Sequence, residues 1–200
     1  MDHGGSYELA ARCIDRGHTS VMIDGSRLSF SDNCALTRRV SELAHAHGVS
    51  VEGELGHVTH NDEAPGEAIA RFYTRPEDAA QFVAETDVDA LAVAVGTAHG
   101  FYKGEVRLDF ERLKQIRTAV GETALVLHGG SVVSAELRRA IKCGITKINF
   151  GTELKDPFTR AVKTSLSSDE DINLRRTFAP ANAAAQEVSQ AKIRIRSERQ

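Results

Sequence analysis

Cysteine is scarce in this 200-residue chain, and the three cysteines that occur, Cys13, Cys34 and Cys143, lie far apart without paired spacing. Cysteines without paired spacing do not suggest a disulfide framework. A reduced, cytosolic protein fits this cysteine usage best.

Long hydrophobic runs and a surplus of basic charge are absent as well. No apolar stretch approaches the roughly 20 residues that a membrane-spanning helix needs, and the N-terminus does not resemble a signal peptide. The formal net charge is -3 and the pI is near 6.2, whereas nucleic-acid binding usually needs a concentrated basic surface. We expect a soluble, cytoplasmic protein that binds neither membrane nor nucleic acid and forms one domain across residues 1–200.

The chain does contain a regular alternation of short Val/Ile/Leu-rich runs with segments of helical spacing, which is typical of βα units and a parallel sheet. The predicted strands are Ser20–Asp24, Val49–Leu55, Ala90–Val95, Ala124–His128 and Thr146–Phe150. Ser31 and Thr74 are predicted to cap two of the intervening helices. The fold class is therefore α/β.

Polar groups occur at or just beyond the end of each predicted strand: Asp24, Glu54, His99, His128 and Asn149. In a barrel of parallel strands the carboxyl ends meet around one axis, so these side chains would converge. An open, doubly wound sheet would also collect them, along a line, and is the alternative architecture.

Three histidines stand out in this pattern. A single histidine near a strand end is usually structural, but His3, His99 and His128 supply imidazoles from three separate segments. Three imidazoles with one open position are a ligand set of catalytic zinc. We predict a zinc site there.

Glycine-rich turns follow the last two predicted strands: Gly129-Gly130-Ser131 after one, and Asn149-Phe150-Gly151-Thr152 after the other. Backbone amides at a helix start, together with Ser and Thr hydroxyls, bind phosphate well. Barrel enzymes frequently carry a phosphate site after their last two strands. An ordinary strand–helix connection would explain either turn taken alone.

Six ordered segments resemble the class II fructose- and tagatose-bisphosphate aldolases. They are Asp2-His3-Gly4, Ser20 to Ser26, Val51 to Gly56, Gly96-Thr97-Ala98-His99-Gly100, Leu125 to Ser131 and Lys147-Ile148-Asn149. The resemblance extends over essentially the whole chain. It implies a TIM (β/α)8 barrel that cleaves or forms a carbon–carbon bond between phosphorylated trioses, with phosphorylated ketoses and trioses as substrates.

The resemblance also implies roles for individual residues. Asp2 matches the acid–base residue at the substrate C4 hydroxyl, and His3, His99 and His128 match the zinc ligands. Asp24 and Glu54 match carboxylates at a second or alternative metal position, for a divalent or monovalent cation. The residues that match contacts to the phosphate and enediolate are Gly100, Gly129, Gly130, Ser131, Asn149, Gly151 and Thr152. Arg175 lies where relatives carry a basic residue.

The sequence departs from the family pattern in three places. Relatives have a Gly-Gly pair before an acidic residue in the loop after Glu54, and here the corresponding acid is Asp62 or Glu63. Val132 stands where relatives commonly have glycine, and a β-branched side chain disfavours positive φ. Asp2-His3 corresponds to the end of the third barrel strand, so the resemblance implies an N-terminally incomplete barrel of about five full strands plus the end of a sixth.

These departures leave other functions open. A non-catalytic sugar-phosphate or metal binder and a companion subunit that completes its sheet with a partner chain are the alternatives to the aldolase. Lys147, which lies on a predicted strand, is the candidate for a Schiff-base aldolase instead. The family resemblance also implies a homo-oligomer, either a dimer or a tetramer. Fructose, tagatose and other ketose phosphates are not distinguished by these residues.

Overall fold

The computed structural model describes residues 1–58, 72–100, 107–132, 134–168 and 173–197. In these residues the strands are β1 (Ser20–Ile23), β2 (Ser50–Leu55), β3 (Ala90–Val93), β4 (Ala124–Leu127) and β5 (Ile145–Ile148). The helices are α1 (Tyr7–Asp15), α2 (Phe30–Ala46), α3 (Pro76–Thr86), α4 (Phe110–Ala119), α5 (Ser134–Lys142), α6 (Thr152–Ser168) and α7 (Leu174–Ser197). The predicted alternation is confirmed. None of the described helices is long and apolar enough to cross a membrane.

Two predicted helix caps are wrong. Ser29, not Ser31, caps α2, because its side chain accepts a hydrogen bond from the Asp32 amide. Arg75 precedes α3 without a side-chain cap bond, and Pro76, which has no amide hydrogen to satisfy, opens that helix. The Thr74 hydroxyl is used elsewhere, between two strand ends.

The strand order distinguishes the two candidate architectures. All neighbouring strands are parallel and follow chain order, β1-β2-β3-β4-β5. A doubly wound sheet reverses its strand order at a switch point, whereas a barrel does not. Successive helices α1 to α5 also contact one another in chain order, which places them on one side of the sheet. The structure is an incomplete (β/α)8 barrel.

The predicted end of a sixth strand is present next to β1. Gly4 forms a parallel bridge with Ile23, and its amide donates to the Met22 carbonyl at 3.0 Å. The Asp24 amide donates in turn to the Gly4 carbonyl at 2.9 Å. This short pairing brings Asp2 and His3 to the same end of the sheet as Asp24.

The two faces of the sheet differ in chemistry. Val21, Ile23 and Leu91 belong to the main core shared with the helices. On the opposite, inner face the described residues form a small apolar cluster of Met22, Ala92 and Val126. Because strand side chains alternate, Glu52 and Glu54 share the inner face, since Glu52 pairs with Met22 and Glu54 with Ala92.

A register shift between β4 and β5 changes which β5 residues face inward. Leu125 pairs with Ile145, but Val126 pairs with Lys147, so Thr146 is the additional residue. Such a bulge re-aims the side chains that follow it. Lys147 is thereby aligned with Val126 on the inner face.

Thr74 joins the carboxyl ends of β2 and β3 beyond their ladder. Its hydroxyl donates to the Leu55 carbonyl at 2.5 Å and accepts from the Ala94 amide at 2.8 Å. The side chain is 1% exposed. Both strand ends therefore depend on one buried hydroxyl.

We predict that Thr74→Val lowers the free energy of unfolding by about 2–3 kcal/mol, because two buried backbone groups lose their partner while the side-chain shape is kept. Urea denaturation measures the change. Thr118→Val is the matched control, since that exposed hydroxyl donates to Lys114 within its own helix. Equal effects in the two variants would contradict the role assigned to Thr74.

Candidate active site

Three histidines from distant parts of the chain meet at the carboxyl end of the sheet. The ring centroid of His3 lies 4.5 Å from that of His128 and 5.2 Å from that of His99, and the centroids of His99 and His128 are 6.2 Å apart. One nitrogen of each ring lies within 4.8 Å of the others. This spacing suits three ligands around one small cation.

His3 reaches the cluster from an unusual backbone conformation. Its φ is 48°, in the left-handed region that non-glycine residues rarely adopt. The adjacent Gly4 bonds to β1 and holds the backbone there. Strain of this kind persists where the surroundings enforce it, often at functional sites.

Two carboxylates lie on another side of His3. Its Nδ1 is 2.9 Å from Asp24 Oδ2 and 3.4 Å from Glu54 Oε2, and the three residues form a second group with metal-ligand spacing. Burial alone would raise the pKa of Asp24, but hydrogen bonds from His3 and Ser26 outweigh it and hold that pKa well below its usual range. The hydrogen bond to Asp24 in turn raises the pKa of His3.

Glu54 is the least compensated of these groups. Its side chain is almost fully buried, and within the described residues its Oε2 receives no hydrogen bond. Burial, reinforced by the negative charge of Asp24, raises the pKa of Glu54 to about 8. A buried carboxylate in this position needs a proton or a cation.

Glu52 is a residue of the site that sequence reasoning missed. Its Oε1 lies 2.8 Å from His128 Nε2, and Lys147 donates to its Oε2. Burial opposes the charged form, yet these two hydrogen bonds keep the pKa of Glu52 below its usual value. The sequence did contain a signal for this residue. Glu52 lies two residues before Glu54 on one strand, and residues two apart in a strand share a face.

Lys147, the candidate for Schiff-base chemistry, donates a hydrogen bond to the buried carboxylate of Glu52. A Schiff-base lysine reacts as a free amine. Its contact with a buried carboxylate disfavours that role.

Asp2 and Asn149 lie beside the histidines. Asn149 Nδ2 donates to Asp2 Oδ1 at 3.1 Å and lies 3.4 Å from His128 Nδ1. Asp2 itself is exposed. A carboxylate that is held next to a metal-ligand cluster and open to solvent can exchange protons with a bound substrate.

The predicted phosphate turns lie next to this cluster. Gly129 has φ 65°, and a Cβ on it would lie 2.5 Å from the Ala98 carbonyl oxygen, so only glycine fits where the turn contacts the segment before His99. The Ser131 hydroxyl accepts a hydrogen bond from the Glu153 amide at 3.2 Å. Gly130 donates to the Asn149 carbonyl. Together these contacts bring the two turns to the N-terminus of α6.

The remaining predicted residues occupy different settings. Gly151 and Thr152 lie at the start of α6, and Gly100, with φ 96°, follows His99. Arg175 lies in the first turn of α7 with its side chain exposed. Val132 is buried, and no positive φ occurs there. Asp62 and Glu63 lie outside the described residues.

Comparison with known proteins assigns the family. Residues 1–199 match the family described as "Fructose-bisphosphate aldolase class-II". The chain belongs to this family. It is 42% identical over 197 residues to a protein named fructose-bisphosphate aldolase from Geobacillus stearothermophilus, and this match covers 97% of the chain and 68% of that relative. A Bacillus subtilis relative, named probable fructose-bisphosphate aldolase, is 41% identical with the same coverage.

Solved structures agree with the family assignment. The structure of the YdjI aldolase from Escherichia coli superposes with a TM-score of 0.82 at 36% identity, covering 97% of this chain and 67% of that one. A structure titled as a putative fructose-1,6-bisphosphate aldolase from Coccidioides immitis gives a TM-score of 0.84 at 28% identity, covering 96% of this chain and 68% of that one. Aldolases of this kind are lyases, and class II members generally depend on a metal.

The residues of this class II chain fit a divalent cation. The three imidazoles match the nitrogen preference of zinc. Asp24 and Glu54 add oxygen ligands that harder cations also accept. The structural observation that favours a cation here is the buried Oε2 of Glu54, which receives no hydrogen bond within the described part of the chain. His3 belongs to both groups of ligands.

The raised pKa of Glu54 predicts a pH-dependent stability for the metal-free protein. The folded state keeps a proton up to about pH 8, whereas the ordinary value is 4.5. The stabilising contribution of this proton is therefore complete below pH 4.5 and is lost as pH rises through 8. Glu54→Gln, a permanently neutral mimic, should be more stable than wild type above pH 8, by on the order of 3 kcal/mol.

Denaturant unfolding in the presence of chelator, from pH 5 to 8.5, checks this expectation. The difference between wild type and Glu54→Gln should grow with pH. Glu42→Gln removes an exposed carboxyl and serves as the control, with no such trend. A constant difference between wild type and Glu54→Gln across the range would show that Glu54 does not retain its proton.

Proposed function

We propose that the protein catalyses metal-dependent aldol cleavage and condensation of a ketose 1,6-bisphosphate, with dihydroxyacetone phosphate and glyceraldehyde 3-phosphate as products. The observation that carries the proposal is the convergence of His3, His99 and His128 within 4.8 Å, beside Asp2 and the glycine-rich turns. Fructose 1,6-bisphosphate is the substrate suggested by the names of the relatives. Tagatose 1,6-bisphosphate differs from it only in the configuration at C4.

The three histidines would hold the catalytic zinc. Zinc bound there would supply a Lewis acid that stabilises negative charge on the three-carbon keto phosphate produced by cleavage. Asp24 and Glu54, together with His3, are suited to a second or alternative cation. Their oxygens lie on the Nδ1 side of His3.

Asp2 is the proposed proton acceptor at the C4 hydroxyl in cleavage and the donor in condensation. Asn149 donates to one of its oxygens, which orients the carboxylate and leaves the other oxygen for the substrate. A second proton exchange, at C3 of the triose half, is assigned to Asp62 or Glu63.

The substrate phosphate is proposed to bind at the turns before α6. Ser131 and Thr152 offer hydroxyls, and Gly129, Gly130 and Gly151 let the backbone approach closely. The helix N-terminus adds favourable dipole interactions with an anion. Gly100 contributes backbone from the turn after His99, and Arg175 is proposed to contact an anionic group of the substrate.

A sugar-phosphate binder without catalysis is the second candidate. The observation that favours it is the open edge of β5, which pairs with β4 alone in the described sheet. Bound zinc without cleavage would identify it. We further propose a homo-oligomeric assembly and a cytoplasmic location, in keeping with the family.

Metal content tests the proposed zinc site. The purified protein should contain about one zinc per chain, and His128→Ala should lose it. Because His128 is buried, the half-buried His99 provides a second variant, His99→Ala. The control is His47→Ala, which removes an exposed histidine whose ring lies 2.8 Å from the Leu43 carbonyl of its own helix. Wild type without bound zinc, or variants with undiminished zinc, would refute the site.

Cleavage of fructose 1,6-bisphosphate, followed by release of dihydroxyacetone phosphate, tests the role of Asp2. Asp2→Asn should lower the cleavage rate by about 10²–10⁴-fold, because the amide cannot accept the hydroxyl proton. Zinc content should not change. Cleavage at the wild-type rate in this variant would exclude Asp2 as the acid–base group.

A further inference from the structure

Glu52 lies between a proposed zinc ligand and a lysine on the inner face of the sheet. It is 5% exposed and comes from β2, whereas His128 follows β4 and Lys147 lies in β5. One carboxylate oxygen is 2.8 Å from His128 Nε2, and the other accepts from the Lys147 ammonium. One side chain thus joins three parts of the sheet.

This arrangement specifies how the His128 ring carries its hydrogen. A carboxylate accepts hydrogen bonds and offers none, so His128 Nε2 must be the donating nitrogen. In the neutral ring Nδ1 is then the nitrogen with the free lone pair. Nδ1 lies 3.4 Å from the Asn149 amide nitrogen, a distance too long for a strong hydrogen bond.

We propose that Glu52 is a positioning residue, which fixes His128 in the tautomer with hydrogen on Nε2 and presents Nδ1 to the metal, while Lys147 orients Glu52 through its second oxygen. The proposal rests on the zinc site of the proposed function. Carboxylates that accept from a ligating histidine fix the ring and typically change metal affinity by about 10–100-fold when removed.

Lys147 determines how a glutamine at position 52 would be oriented. A lysine side chain can only donate hydrogen bonds, so Lys147 requires an oxygen of residue 52 as its acceptor. In Glu52→Gln the amide oxygen would remain with Lys147, and the amide nitrogen would face His128 Nε2. An amide donates from that nitrogen, so the substitution should reverse the tautomer, with the hydrogen moved to Nδ1.

The wild-type tautomer can be measured without metal. Long-range ¹H–¹⁵N NMR spectra of ¹⁵N-histidine-labelled, metal-free protein should show His128 with a protonated Nε2 and an unprotonated Nδ1. A protonated Nδ1 in wild type would overturn the proposal, whatever the variants do.

Variants then test whether Glu52 causes this tautomer of His128. Glu52→Gln should show the reversed tautomer and bind zinc about 10–100-fold more weakly in a competition titration with a chelating dye. Adding Lys147→Met should restore much of the affinity, because the glutamine oxygen is released to accept from His128 Nε2. If Glu52 had a purely structural role, the double variant should bind zinc more weakly than the single variant. The effects of two substitutions in one buried cluster would then add.

The matched control is the exposed pair of Glu111 and Lys114, joined at 2.7 Å. Glu111→Gln should leave both the His128 spectrum and zinc affinity unchanged. Wild-type affinity in Glu52→Gln, or a double variant weaker than the single one, would overturn the role of Glu52. Wild type that binds no zinc would overturn the proposed function instead, while the metal-free spectra would still decide the tautomer.

Discussion

Parallel pairing in chain order is the constraint from which the site arises. It places the carboxyl ends of β1 to β5 along one end of the sheet, so that His3, His99 and His128 meet although they are far apart in the chain. The same pairing separates the two faces. Apolar side chains pack against the helices, and Glu52 and Glu54 are left facing inward.

The carboxylates at the inner face therefore differ in how their negative charge is compensated. Asp24 is stabilised as an anion by His3 and Ser26, and Glu52 by His128 and Lys147. Burial and the negative charge of Asp24 outweigh the favourable contacts of Glu54 with His3 and Val58, so the pKa of Glu54 rises. Glu52 and Glu54, two carboxylates on one strand, thus have opposite preferences for the proton.

Much of the architecture could be predicted from residue patterns. The strand–helix alternation, the polar strand ends and the glycines at turns are local features, and each has a local physical cause. Ser31 and Thr74 show the limit of this reasoning. Both are reasonable cap residues, but Ser29 has the backbone geometry for the cap, and Thr74 is engaged by Leu55 and Ala94 across two strands.

The sequence by itself determined the α/β class, the positions of the strands and the histidines that could serve a metal, because side-chain periodicity and residue chemistry are carried along the chain. Only the tertiary structure decided that Lys147 faces Glu52, since this depends on the register shift between β4 and β5. It also decided which carboxylates are paired. Strand register and burial are set by contacts between distant segments, and one extra residue in a ladder is enough to turn a side chain from one face to the other.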